Sequence, residues 1–131
     1  MKRYQFDKLI RSKLPERMIR EGVTINSKQL CDEEYVTQLK NKIVEEANEV
    51  SNAVTKESLT TELADVVEVI HAIAKASGIE MAEIEAARLE KRAVNGHFQA
   101  STYVNYIEVA EDNHEVIEYL DNKDRPYKFS E

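Results

Sequence analysis

Two short acidic groups separated by twelve residues constrain the fold of this chain more than any other feature. Glu45, Glu46 and Glu49 form the first group, and Glu62 and Asp65 form the second. Residues three positions apart lie on one face of an α-helix, so each group places two carboxylates side by side. Apolar residues recur at helical spacing around both groups, which predicts two consecutive amphipathic helices.

A short turn between these helices would bring the two acidic groups together. The sequence places the midpoint of that turn just after Thr55, and residues equidistant from it lie at the same level of an antiparallel hairpin. Glu49 and Glu62 are then level with each other, as are Glu46 and Asp65. Crowded, partly buried carboxylates repel one another and drive protonation unless positive charge lies between them. The pattern therefore predicts a bound divalent cation.

Oxygen-only ligands favour hard ions, so Mg²⁺ is the expected metal and Mn²⁺ the alternative. The predicted metal ligands are Glu46, Glu49, Glu62 and Asp65. Glu45 is a candidate for orienting or deprotonating an attacking water, or for a further metal contact. Because Mg²⁺ keeps water positions open for phosphate oxygens, the site indicates phosphate chemistry.

An alternative interpretation treats these glutamates as an ordinary solvated helix surface, since glutamate is mostly exposed in proteins. A structural surface helix commonly carries Lys or Arg four residues after Glu. The positions four residues after Glu45, Glu46 and Glu49 are instead Glu49, Val50 and Ala53. We therefore prefer the metal site.

The acidic pattern also resembles a known family signature. The run EEANE, twelve further residues and then ELAD are similar to the EExxE, spacer, ExxD motif of the all-α nucleoside triphosphate pyrophosphohydrolases, the MazG-like and phosphoribosyl-ATP pyrophosphohydrolase superfamily. DKLIRSKLPE resembles the NKLVRDKIPE opening of one branch, and KRAVNGHF resembles its KRxxRGGF segment. Ser12, Asn95 and His97 depart from these motifs. The resemblance covers roughly residues 4–98.

The resemblance implies an enzyme that cleaves a nucleoside triphosphate between its α and β phosphates, giving a monophosphate and pyrophosphate. House-cleaning of non-standard nucleotides is one implied role, and hydrolysis of phosphoribosyl-ATP in histidine synthesis is the alternative. It also implies a homodimer or homotetramer with Mg²⁺ bound. The residues that it marks for substrate binding are Arg11, Lys13, Lys91, Arg92 and Asn95.

Each of these cations has a second interpretation. Arg11 and Lys13 either hold a triphosphate or balance the charge of a neighbouring acidic helix. Lys91 and Arg92 either neutralise bound phosphates or oppose the dipole at the end of their own helix. The residues alone leave both interpretations open.

Composition favours a mainly α-helical bundle. The 131 residues are 42% hydrophobic and 33% charged, with three glycines and two prolines. We predict one domain over residues 1–131, with a core at 4–98 and an extension at 99–131. The main helices are expected at 33–54, 58–75 and 81–94. The extension is expected to form a short strand in TYVNYIEV and a short helix in HEVIEYLDN.

Charge and cysteine content exclude several classes. A net charge of −7 argues against a nucleic-acid groove, which would need a basic face. Cys31 is the single cysteine, so nothing requires an oxidising compartment. No stretch approaches the length of a membrane span, and the N-terminus lacks the apolar core of a signal peptide. We expect a cytoplasmic protein.

Two further interpretations compete with this enzyme. Glu68 with His71, and Glu111 with His114, both have the Glu-x-x-His spacing of di-iron bundles. The first pair projects from the opposite flank of its helix to Glu62, and Glu111 lies beside the predicted strand, so we reject this site. The remaining alternative is a non-catalytic helical oligomer whose acidic cluster binds a structural cation or a partner.

Overall fold

The computed structural model describes residues 1–122, and the regular secondary structure in that part of the chain is entirely helical. Five helices follow one another: α1 (Leu14–Arg20), α2 (Asp32–Asn52), α3 (Lys56–Ala76), α4 (Met81–Asn95) and α5 (His114–Asp121). The mainly α-helical fold expected from the sequence is confirmed. The last nine residues of the predicted extension, 123–131, lie outside the described residues.

The chain divides into two compact units, Met1–Val94 and Asn95–Glu131. The first unit contains the paired helices α2 and α3, and the second contains α5. Within residues 1–122, none of the helices has the combination of length and apolar character that crossing a bilayer requires.

Helices α2 and α3 form an antiparallel hairpin that is the main tertiary contact of the first unit. The connecting residues 53–55 are extended at Ala53 and Thr55. The sequence predicts that α3 begins at residue 58, but the structure places its N-cap at Thr55. Its side-chain oxygen accepts a hydrogen bond from the Ser58 backbone N–H at 3.0 Å. The helix therefore begins two residues earlier than predicted, because a free backbone N–H near a helix start is satisfied by the preceding hydroxyl.

The buried core of the described residues is small and lies within this hairpin. Leu39 on α2 and Val69 and Ala74 on α3 are its buried apolar side chains. Leu39 and Val69 are equidistant from Val54, the middle of the connection, so the antiparallel register places them at one level. Val54 is the last residue of the helix predicted at 33–54, but in the structure it lies in the connection after α2 and is 95% exposed.

Two glycines end helices in the first unit. Gly22 follows α1 with a φ of 87°, and Gly78 follows α3 with a φ of 68°. After each glycine the chain turns back, and the Val23 and Ile79 N–H groups donate to the Met18 and Ala74 carbonyl oxygens at 3.0 and 2.8 Å. These bonds satisfy carbonyl groups that a helix end leaves free.

The second unit corrects one prediction and agrees with another. The short strand expected in residues 102–109 is not formed, because this segment has no partner strand within residues 1–122. A β-rich sequence becomes a strand only when a neighbouring edge pairs with its backbone. The predicted short helix is present as α5, and the Asn113 side chain accepts a hydrogen bond from the Val116 N–H at its start.

The small core makes the hairpin sensitive to truncation of Leu39. Leu39→Ala is expected to lower the free energy of unfolding by about 2 to 5 kcal/mol, since it removes a buried side chain and leaves a cavity. Chemical denaturation followed by circular dichroism measures this change. Val54→Ala is the matched control, and its exposed position limits its expected effect to about 0.5 kcal/mol. Equal effects of the two variants would contradict this location of the core.

Candidate metal centre

Three carboxylates meet between α2 and α3. Glu46 on α2 and Glu62 and Asp65 on α3 each offer an oxygen, and these oxygens all lie within 4.8 Å of one another. Glu62 and Asp65 share a face because they are three residues apart in one helix. The antiparallel hairpin brings Glu46 to the same face from the other side. These residues are half-buried, so their charges are partly shielded from water.

The register of the hairpin differs slightly from the predicted one. Because α2 ends at Asn52 and α3 begins at Lys56, the middle of the connection falls at Val54, and Glu46 rather than Glu49 is equidistant with Glu62. Glu49 lies nearer the turn, is exposed, and is absent from the group of three oxygens. It still contributes negative charge to the site through its effect on Glu62.

The electrostatics of Glu62 indicate uncompensated negative charge. Burial raises the pKa of Glu62 above its usual value, and the carboxylates of Asp65, Glu49 and Glu46 raise it further. Like charges held close together disfavour ionisation in this way. A cation at this point would be stabilised by the same field that disfavours the ionised carboxylate.

Glu45 has a different environment from its neighbour Glu46. Lys8 donates to Glu45 at 3.1 Å, and Lys42 donates to it at 3.2 Å. Although burial acts to raise the pKa of Glu45, hydrogen bonds from Lys8 and Lys42 outweigh it and lower the pKa below its usual value. Lys42 also lies 3.5 Å from Glu46. Glu45 is thus held ionised at the edge of the carboxylate group.

Arg11 contacts the centre of the group directly. Its Nη2 atom donates to Asp65 Oδ1 at 2.6 Å. This contact supports the interpretation in which Arg11 balances the charge of a neighbouring acidic helix. The side chain remains 59% exposed, so much of the guanidinium is open to solvent.

Sequence reasoning missed the roles of Lys42 and Lys8. It searched for cations only after each glutamate, whereas Lys42 precedes Glu45 by three residues and Glu46 by four. A search in both directions along the helix would have found Lys42. Lys8 is separated from Glu45 by 37 residues, and no local pattern relates them.

The other predicted substrate contacts are exposed. Within residues 1–122, no ion pair joins Lys13, Lys91 or Arg92 to an acidic residue. Asn95 ends α4 and is exposed. These four side chains are available to a ligand, and their assignment stays a prediction.

The Glu-x-x-His pairs do not assemble a second centre. Glu68 and His71 are exposed on α3, beside a shallow groove lined by Tyr35. Glu111 lies in a turn before α5, so it does not share a helix with His114. Among the described residues, Glu46, Glu62 and Asp65 are the one group of three possible ligands in close range.

The donor set fits a hard divalent ion. All three ligand atoms are carboxylate oxygens, and no cysteine or histidine belongs to the group. Such donors suit Mg²⁺ and Mn²⁺ better than zinc or copper. The raised pKa of Glu62 supports the same fit, because a cation would relieve the repulsion that causes it.

The raised pKa of Glu62 predicts how pH affects stability without divalent ions. A carboxyl with a raised pKa in the folded protein contributes stability below its unfolded pKa, and this contribution is lost as pH rises through the folded value. Glutamine does not ionise, so Glu62→Gln avoids this loss of stability. The variant is therefore expected to melt at a higher temperature than the parent at pH 7, with a difference that narrows toward pH 4.

Thermal melting in chelator and low salt measures this difference. Glu68→Gln is the control, because it makes the same substitution on an exposed face of α3 outside the group of carboxylates. A lower melting temperature of Glu62→Gln at pH 7 would contradict the proposed repulsion.

Comparison with protein families identifies the chain. Residues 5–92 match the family model described as phosphoribosyl-ATP pyrophosphohydrolase. No curated protein matches the chain at a significant level, and no solved structure does so either. The match spans more than half of the chain and includes all five acidic residues of the site. It confirms the resemblance to the MazG-like all-α pyrophosphohydrolases. The chain therefore belongs to the phosphoribosyl-ATP pyrophosphohydrolase family, and it is a nucleotide pyrophosphohydrolase that acts on phosphoric anhydride bonds.

Proposed function

We propose that the chain is a Mg²⁺-dependent enzyme that cleaves a nucleotide between its α and β phosphates and releases pyrophosphate. The observation that carries this proposal is the approach of Glu46, Glu62 and Asp65 oxygens to within 4.8 Å of one another. These residues would hold the metal, with Glu49 as a further ligand at the turn side of the site. Mn²⁺ is the expected substitute.

The chemistry requires no covalent nucleophile. Bound Mg²⁺ neutralises phosphate oxygens and lowers the pKa of coordinated water. The carboxylates of α2 and α3 would hold the ion between the two helices. Glu45 is ionised and lies beside the group, which suits it to orient an attacking water. Its lowered pKa makes it a weak base, so orientation is favoured over deprotonation.

The substrate most favoured by the family match is phosphoribosyl-ATP. A free nucleoside triphosphate, including a non-standard one in a house-cleaning role, is the second candidate. Both molecules carry a triphosphate chain, so the same metal centre suits either one. The proposed contacts to that chain are Arg11, Lys13, Lys91, Arg92 and Asn95.

A homodimer or homotetramer is part of the proposal. Leu59, Leu63 and Val67 lie on one face of α3 at four-residue spacing and are 38, 48 and 49% exposed. An apolar stripe of this kind on an amphipathic helix favours burial against another surface. A second copy of the chain would supply that surface.

Pyrophosphate release tests the reaction and the substrate together. Phosphoribosyl-ATP and ordinary and modified nucleoside triphosphates are incubated with the enzyme in Mg²⁺, in Mn²⁺ and in chelator. We expect metal-dependent release of pyrophosphate and a monophosphate product. Glu46→Gln and Glu49→Gln are expected to lower kcat/KM by about 100-fold or more, since each removes charge that positions the metal. Glu68→Gln is the matched control and should keep the parent's activity.

Substrate preference follows from the ranking of kcat/KM across the panel. Faster hydrolysis of modified triphosphates than of phosphoribosyl-ATP would overturn the favoured substrate but keep the reaction. Failure of folded, metal-binding protein to hydrolyse any of these nucleotides would contradict the proposed reaction.

The oligomer has a separate test. Leu63→Glu places a charge in the exposed stripe of α3 and is expected to reduce the molar mass measured by light scattering to that of the single chain. Substitution of the exposed Val54 at the turn by Glu should leave the mass unchanged. A parent protein that is already monomeric at micromolar concentration would contradict the proposed assembly.

A further inference from the structure

Two long-range ion pairs tie the N-terminal segment to the acidic group. Lys8 pairs with Glu45 across 37 positions of sequence, and Arg11 pairs with Asp65 across 54. The other ion pairs of the described residues join positions close together in sequence. The segment before α1 is therefore anchored at Asp65, a proposed metal ligand, and at Glu45, the neighbour of Glu46.

Neighbouring cations balance part of the negative charge of the acidic group. The carboxylates are Glu45, Glu46, Glu49, Glu62 and Asp65, and the cations in contact with them are Lys8, Arg11 and Lys42. Five negative charges against three positive charges leave two negative charges, which one divalent ion neutralises. A second divalent ion would make the group net positive while all three cations stay in contact, and would therefore bind against repulsion.

Among the three cations, Arg11 has the most exposed side chain, 59% against 42% for Lys8 and 18% for Lys42. Lys42 is a residue of α2 with an 18% exposed side chain, and it contacts glutamates of its own helix. Lys8 pairs with Glu45, which is not one of the three converging ligands, and also lies over the Phe6 ring at 5.5 Å. Arg11 is 59% exposed, belongs to an irregular segment, and contacts the ligand group only through Asp65.

We propose that Arg11 is an exchangeable counterion of Asp65, which competes with the divalent ion and is transferred to the phosphates of the nucleotide when the metal binds. This inference rests on the proposed function. The guanidinium donates to an Asp65 oxygen at 2.6 Å, so it partly neutralises the carboxylate that would bind the metal. A triphosphate offers the same kind of acceptor, because guanidinium binds carboxylate and phosphate with similar geometry.

The exchange gives Arg11 opposite effects on the affinity for the metal and on the affinity for the nucleotide. Arg11 opposes metal binding while it remains on Asp65, and it favours nucleotide binding after it has been released. A residue with a merely structural role would weaken both events when it is replaced. Opposite changes in the two affinities therefore distinguish the exchange from a structural role.

Titration calorimetry on the full chain tests the first event, with Mn²⁺ alone as the probe. Arg11→Gln is expected to tighten Mn²⁺ binding by about two- to fivefold, the range expected for an exposed ion pair. Lys13→Gln is the control, because it removes the same charge from the same segment but lacks an ion pair with the acidic group. It should change the affinity less. Arg11→Lys keeps the charge and should remain close to the parent.

The second event is measured at saturating Mn²⁺ with α,β-methylene ATP, which cannot be cleaved between its α and β phosphates. Arg11→Gln is expected to weaken its binding by about tenfold, since a charge-assisted contact with phosphate is lost. Arg11→Lys should recover part of this loss. Circular dichroism of each variant verifies that the helices are intact.

The outcomes separate this inference from the proposed function. If the parent binds Mn²⁺ and hydrolyses nucleotides but Arg11→Gln leaves Mn²⁺ affinity unchanged or weaker, the counterion exchange is wrong and the proposed function stands. If the parent itself does not bind Mn²⁺, the metal centre fails and the exchange fails with it. Tighter Mn²⁺ binding with weaker nucleotide binding in Arg11→Gln supports both.

Discussion

Glu46 on α2 and the two carboxylates of α3 repel one another, and this repulsion is the main constraint on this part of the hairpin. Packing cannot relieve it, because the buried core lies further from the turn, at Leu39 and Val69. Cations must relieve it instead, and the chain supplies them from α2 itself and from the segment before α1. The hydrophobic and charged layers of the hairpin therefore have separate tasks: one holds the helices together, and the other keeps negative charge concentrated at one level.

Helical periodicity accounts for the part of the site that the sequence predicts well. Glu62 and Asp65 share a face because of their three-residue spacing, and Glu46 was predicted to face them. Periodicity does not determine where a helix begins. The end of α2 at Asn52 and the start of α3 at Lys56 each fall two residues before the predicted bound. The middle of the connection is therefore Val54, and the partner of Glu62 changes from Glu49 to Glu46.

Contacts between distant segments could not be predicted from the sequence. Nothing in the spacing of Arg11 and Asp65 indicates that they meet, because the path of residues 21–31 between α1 and α2 determines their distance. The missing strand at residues 102–109 has a related cause. Its β-branched and aromatic residues favour a strand, but a strand forms only where a second strand pairs with it. Composition does not indicate whether such a partner is present. The family match likewise ends at residue 92, so Asn95 and His97 are linked to the site by motif resemblance alone.

The connection between α2 and α3 consists of only three residues, 53–55, and its length determines which carboxylates are level. Ala53 and Val54 make no side-chain hydrogen bond that the site requires, so many amino acids should be acceptable there during evolution. An insertion or deletion of one residue is a different matter where a helix end absorbs it, because each helical residue adds about 1.5 Å of length and about 100° of rotation. Glu62 and Asp65 would then turn away from Glu46. Selection on this loop should therefore act on the number of its residues far more than on their identity.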